Sequence, residues 1–228
     1  MKACLRLLPG LLRQLFAFLQ VESEDIRAAV GSALVALAEG CLTTTVSLEQ
    51  SQEPLQEISE LALQGLTTRY QLAWREVFRF IGALFLSLRW KADPLFLDTI
   101  KIIEAMRSKE GFEGKAEAEA VIGAAIEGVG PASVLKILPL NLERQGPTNP
   151  GRAWLLPILK AHVKHTRLGH FKEYFVPLSE RLYQKVIEGE SNPTKTMELK
   201  VLETVVEQIW SLLPSYCNLP IDLEKVWI

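Results

Sequence analysis

Apolar side chains recur along this chain at intervals of three and four residues, the spacing that lines one face of an α-helix. The pattern predicts helices over roughly 3–19, 23–39, 53–66, 69–90, 94–108, 114–129, 131–138, 152–165, 168–188 and 193–213. Alternation with a period of two is nearly absent, so the chain reads as all-α. Punctuation supports the helices. Gly40 stands where a left-handed cap is expected, and Asp93-Pro94 reads as a cap followed by proline at the first helical position. Ser191-Asn192-Pro193 offers the same kind of entry. Within 168–188, the residues Leu168, Phe171, Phe175, Leu178, Leu182 and Val186 share one side. One such stripe does not offset the entropy of ordering its own helix, so each helix requires packed neighbours.

The helices also repeat. The segment LRLLPGLLRQLF (5–16) is followed by EDIRAAVGSALVAL (24–37). This pair resembles a HEAT repeat, in which a proline-bent first helix packs on a second that opens with aspartate and arginine, here Asp25 and Arg27. Leu155-Leu156-Pro157-Ile158-Leu159 echoes Leu7-Leu8-Pro9-Gly10-Leu11, with weaker echoes at Phe175-Val176-Pro177-Leu178 and Leu212-Leu213-Pro214. The expected architecture is a HEAT/armadillo-like α-solenoid of stacked hairpins. It forms a single section over 1–228, about five hairpins, with a Pro/Gly-rich connection at 143–151. Both ends carry apolar repeat-like sequence without a polar cap, as expected of a piece of a longer solenoid.

Composition narrows the class. Apolar residues make up 48% and charged residues 23%, enough for a continuous core and too apolar for disorder. The net charge of −2 supplies no global attraction to nucleic acid or anionic membranes. Cys4, Cys41 and Cys217 are scattered and lack metal or disulfide spacing, which fits a reducing compartment. Arg6 and Arg13 interrupt the apolar start, unlike the core of a leader peptide. The longest uncharged run, Gln208 to Ile221, is too short and proline-rich to span a bilayer, so a soluble intracellular protein is expected.

Local charge changes this picture. Residues 1–143 carry 14 basic and 18 acidic side chains, and residues 186–228 carry 3 and 7. Between them, residues 144–185 carry 8 basic and 2 acidic, a balance of +6, together with His162, His165 and His170. An unbroken helix would set Lys160, Lys164 and Arg167 on the face opposite Trp154, Leu155 and Ile158. Arg144 and Arg152 flank the proline-rich connection, Lys172 follows, and Arg181 with Lys185 makes an i, i+4 pair. These eight cations are the candidate stripe for a nucleic-acid backbone or an acidic partner. An ordinary solvated face is the alternative. Phe171 and Tyr174 could stack bases, although Phe171 belongs to the apolar stripe.

Catalytic signatures are missing. Gly114-Lys115 is followed by Ala116, and Lys109 stands where a phosphate-cradling loop needs glycine. No G-x-S-x-G elbow occurs. His162, His165, His170 and Glu173 have spacings that could ligate zinc, yet an unbroken helix turns His162 toward the packing side. No catalytic residue, metal or cofactor is therefore assigned.

Three stretches go beyond a generic solenoid: VLKILPLNL (134–142), GRAWLLPILKAHV with FKEYFVPLSERL (151–163 and 171–182), and QIWSLLPSYCNLPIDL (208–223). They resemble the helical domain of the ribosomal RNA-processing protein twelve family, long HEAT-repeat ribosome-assembly factors. The resemblance implies a non-catalytic scaffold in nucleolar and nuclear pre-ribosomes, mainly the small-subunit precursor. It further implies support of pre-ribosomal RNA processing and of subunit export, which leaves shuttling to the cytoplasm open. The implied partners are pre-ribosomal RNA, small-subunit assembly factors and ribosomal proteins, with links to the Ran GTPase and nuclear transport receptors. No membrane and no small-molecule substrate is implied. A rival reading is a transport-receptor-like docking solenoid that binds Ran or karyopherins without contacting RNA. A helical metalloenzyme around the histidines is the third.

Overall fold

The computed structural model describes residues 2–42, 48–143, 151–189 and 196–226. Among them there is no strand, as the apolar spacing predicts. They form two compact units, Met1–Ile137 and Leu138–Ile228, so the change of unit precedes the proline-rich connection.

The first unit holds α1 (Lys2–Phe18), α2 (Glu24–Cys41), α3 (Leu48–Gly65), α4 (Trp74–Leu88), α5 (Leu97–Arg107), α6 (Lys115–Val129) and α7 (Pro131–Ile137). α1, α3 and α5 pack in one layer, and α2, α4 and α6 pack in a second with α4 in the middle. Each hairpin thus contributes one helix to each layer. The i, i+4 spacing decides which of the many α1 leucines go inside. Leu5, Leu8, Leu12 and Phe16 are buried, whereas Leu7 and Leu11 face outward. Phe16 meets Phe80 of α4 edge-to-face at 5.7 Å, which ties the two layers together. Where α6 meets α4, Gly128 lies against the Phe85 carbonyl, and any Cβ there would collide with backbone.

Arg27, the arginine of the HEAT-like signature, is buried. Its Nη1 donates to the carbonyls of Val21 at 2.8 Å and Glu22 at 2.6 Å, groups of the turn left open where α1 ends. One side chain thereby fixes the α1–α2 hairpin.

Several boundaries differ from expectation. α2 runs through Gly40 to Cys41, and the Leu42 N–H still bonds Ala38, so the glycine serves as no cap. The Asp93–Pro94 peptide is cis, and Phe96 N–H closes a turn on Ala92, so α5 begins at Leu97 rather than at the proline. The long helix predicted over 69–90 divides into a 3₁₀ turn at Thr68–Ala73, α4, and a second 3₁₀ turn at Arg89–Ala92 that Arg89 enters with φ 53°. Ser191-Asn192-Pro193 lies outside the described residues.

In the second unit, α8 (Leu155–His162) is followed by α9 (Leu168–His170), a π turn at Phe171–Phe175 and α10 (Val176–Gly189). α11 (Thr196–Trp210), α12 (Leu213–Tyr216) and α13 (Leu223–Val226) complete it. Pro177 has no N–H to give, and its ring would clash with the Glu173 carbonyl one turn back. The wider π turn just before it relieves that crowding. All six residues of the expected stripe are buried. α11 packs along α10, and both α11 and α12 cover α8.

Arg27→Ala is expected to lower the unfolding free energy of the first unit by about 2 kcal/mol, because a charged donor to two carbonyls disappears. Denaturant titration checks it, and an unchanged midpoint would show that the hairpin does not depend on this arginine.

Candidate nucleic-acid interface

The basic segment is shaped by where its helices stop. α8 opens after Trp154, with Pro157 in its first turn, where a missing N–H costs nothing. It ends at His162, and Val163 is extended. His165 then takes φ 50°. The backbone between α8 and α9 finds its partners in the segment after α12 instead of continuing the helix. His165 N–H donates to the Asn218 carbonyl at 2.9 Å, and Ile221 N–H donates to Thr166 at 3.1 Å. Ser215 Oγ donates to the Lys160 carbonyl at 2.7 Å. Asp222 closes the arrangement by accepting from the N–H groups of Leu168 at 2.6 Å and Gly169 at 3.0 Å. Its carboxylate is the cap of α9.

The expected unbroken helix over 152–165 is therefore corrected, and with it the single face for Lys160, Lys164 and Arg167. Lys160 stays exposed on α8, while Lys164 and Arg167 are exposed on the turn. Arg167 lies 3.7 Å from Asp222 and 3.8 Å from Glu173, and so is partly neutralised. Arg181 donates to Glu143 Oε1 from Nη2 at 2.7 Å and from Nε at 2.8 Å. Lys185 donates to the Glu143 carbonyl. Arg152 donates from Nη1 to the Pro139 carbonyl at 2.9 Å, and its own N–H bonds Leu140 at 2.8 Å, which pins the Leu138–Leu142 segment. Arg144 lies outside the described residues. Lys160 and Lys172 are exposed with no ion pair to their ammonium groups among the described residues. Lys160 and Lys172 thus keep the most accessible charge, Lys164 is exposed beside them, and four of the other cations are shared with protein oxygens.

The histidines separate. His162 ends α8, His165 sits on the turn, and His170 enters an aromatic cluster. Among the described residues no three His, Cys, Asp or Glu side chains converge as a metal would require. His170 Nδ1 is 2.8 Å from the Tyr216 hydroxyl, and its ring stacks on Tyr174 at 5.5 Å. Phe171 is buried and stacked on Phe175, so it cannot take a base, and Tyr174 is half-buried. Burial pushes the Tyr216 phenol far above the ordinary tyrosine range, and it also raises Tyr174 against the opposing Leu140 backbone. Pro139–Glu143 together with Glu173, Tyr174, Pro177, Leu178 and Arg181 line a pocket of about 410 Å³ beside the Arg181–Glu143 pair.

The sequence reading missed a second cationic site, in the first unit. Arg75 and Arg79 lie one turn apart on α4, exposed and without partners among the described residues, beside Trp74. Their i, i+4 spacing was open to view, but the acidic excess of residues 1–143 hid it.

Comparison with known proteins decides the family. Residues 20–227 match the family described as ribosomal RNA-processing protein 12, HEAT repeats. The chain belongs to that family. It is 41% identical over 211 residues to a putative ribosomal RNA-processing protein 12 of Schizosaccharomyces pombe, which covers 92% of the chain and 18% of that protein. It is 30% identical over 233 residues to the Saccharomyces cerevisiae ribosomal RNA-processing protein 12, covering 97% and 19%. The human RRP12-like protein is 32% identical over 161 residues, covering 70% and 12%. The chain spans less than a fifth of the length of these relatives. Family and structure agree on an all-α fold of HEAT-repeat solenoid class.

A folded state that keeps its phenols neutral binds more protons than the unfolded chain above a pH of about 10. Stability is then complete below that pH and falls as pH rises beyond it. Tyr216→Phe should flatten this alkaline loss while costing about 1 kcal/mol at neutral pH, from the lost hydrogen bond to His170. Denaturant midpoints between neutral and alkaline pH test this, and an alkaline profile unmoved by the substitution would refute it.

Proposed function

We propose that this chain is a non-catalytic HEAT-repeat section of a ribosome-assembly factor, binding pre-ribosomal RNA and assembly proteins of the small-subunit precursor. The family match over residues 20–227 carries the reading. Its name joins the relatives to ribosomal RNA processing, and a helical stack offers long edges on which RNA and protein can both lie. Support of RNA processing and of subunit export, and a nucleolar and nuclear location, belong to the same proposal. So does contact with Ran and nuclear transport receptors.

The RNA arm rests on the +6 segment as the fold displays it. Lys160 and Lys172 would meet phosphates directly, with Lys164 exposed beside them. Arg152, Arg167, Arg181 and Lys185 would act mainly through the field they add, since protein oxygens already hold them. A second reading, docking of protein partners without RNA, draws on the apolar side chains exposed on α10 and α11. Tyr183 is 55% exposed and Val201 56%.

Three neutralised phosphates would give single-stranded RNA a log–log salt slope of about −2. Lys160→Glu, Lys164→Glu and Lys172→Glu together should abolish most of that slope. RNA binding indifferent to salt and to the triple reversal would sink the RNA arm. Recovery of pre-ribosomal proteins that survives nuclease treatment would then favour the docking reading.

A further inference from the structure

We propose that a cleft between the start of α4 and the α5–α6 loop binds a guanine base of single-stranded RNA. The inference rests on the RNA reading above and adds a site on the first unit. The cleft has a volume of about 550 Å³, well within the range of small-ligand sites. Its apolar wall is made by Trp74, Phe78 and Phe112, with Phe112 5.9 Å from Trp74 and 6.3 Å from Phe78. Gly114 lets that wall close, since a Cβ there would stand 3.0 Å from the Phe112 ring.

Three charged side chains share the cleft, Arg75, Glu113 and Glu117. None of them forms an ion pair or hydrogen bond among the described residues, although their signs are opposite. Nearby acids behave differently, for Glu119 takes both Nε and Nη2 of Arg107. A cleft that holds unpaired charges of both signs suits a ligand offering donors and acceptors together.

Carboxylates only accept, so they select a ligand edge with adjacent donors. Among the RNA bases, guanine alone sets two donors side by side, its N1–H and its 2-amino group. Adenine, cytosine and uracil place an acceptor next to each donor on the same edge. The guanidinium of Arg75 stays cationic and suits the guanine O6 and N7 acceptors or a neighbouring phosphate. Arg79, exposed one turn further on, would hold the next phosphate. The aromatic wall supplies the stacking that unpaired bases require. A basic peptide could use the carboxylates and the exposed Leu72, yet it would leave Arg75 without a partner.

The test uses the 228-residue chain and uridine octamers carrying one central guanine, adenine or inosine, with all-uridine as reference, read by fluorescence anisotropy. The guanine octamer should bind about tenfold or more tightly than the adenine one. Inosine, which lacks the 2-amino group, should lose most of that advantage. Glu113→Ala with Glu117→Ala should erase the preference, so that guanine and adenine octamers bind alike. Arg75→Gln should weaken guanine binding and reduce its salt slope by about 1. Equal binding of guanine and adenine, or a preference that persists without both carboxylates, overturns the proposal. If all-uridine binds in a salt-dependent way without base preference, the cleft is refuted while the RNA scaffold stands. If no octamer binds, both readings fall.

Discussion

A helix that stops inside a packed protein leaves backbone N–H and C=O groups that must find partners or be left in water. A stack of short helices meets this demand many times, and the side chains that satisfy it hold each unit together internally. Arg27 does so for the turn after α1. Arg152 does so for the carbonyl of Pro139. Asp222 does so for α9, drawing the segment after α12 onto the turn after α8. Charged side chains serve well because charge-assisted hydrogen bonds are the stronger kind.

This demand also distributes charge. Sequence counting treats every cation of the basic segment as available, whereas the fold assigns several of them to oxygens. Glu143 is the clearest case. Its carboxylate takes Arg181, and its carbonyl takes Lys185. What remains for a partner is a smaller set that includes Lys160 on α8 and Lys172 on the π turn. The reverse holds in the first unit, where a segment with an acidic excess presents two arginines on α4 that have no partner among the described residues. Net charge over a window is therefore a poor guide to the charge that a ligand meets.

Legibility differed between elements for physical reasons. The stripe Leu168 to Val186 could be read because burial follows helical spacing, and every one of its residues is buried. The Arg27 position could be read because the repeat motif places it at the start of a second helix. Gly40 misled because glycine caps a helix only when the chain turns there, and α2 continues one residue past it. The helix predicted over 152–165 misled for a stronger reason. Nothing within those residues forbids helix, and the stop at His162 is imposed by partners more than fifty positions away, at Asn218 and Asp222. The cleft at Trp74 was invisible for the same reason, since Phe112 and Glu117 reach it from another element.

By itself the sequence determined the helical class, the positions of most helices, their inward faces and the family, because local spacing and short motifs carry those properties. Only tertiary structure decided where helices end, which cations remain accessible and which side chains share a cleft. Those properties depend on hydrogen bonds and contacts between residues far apart in the chain. No reading of neighbouring residues contains them.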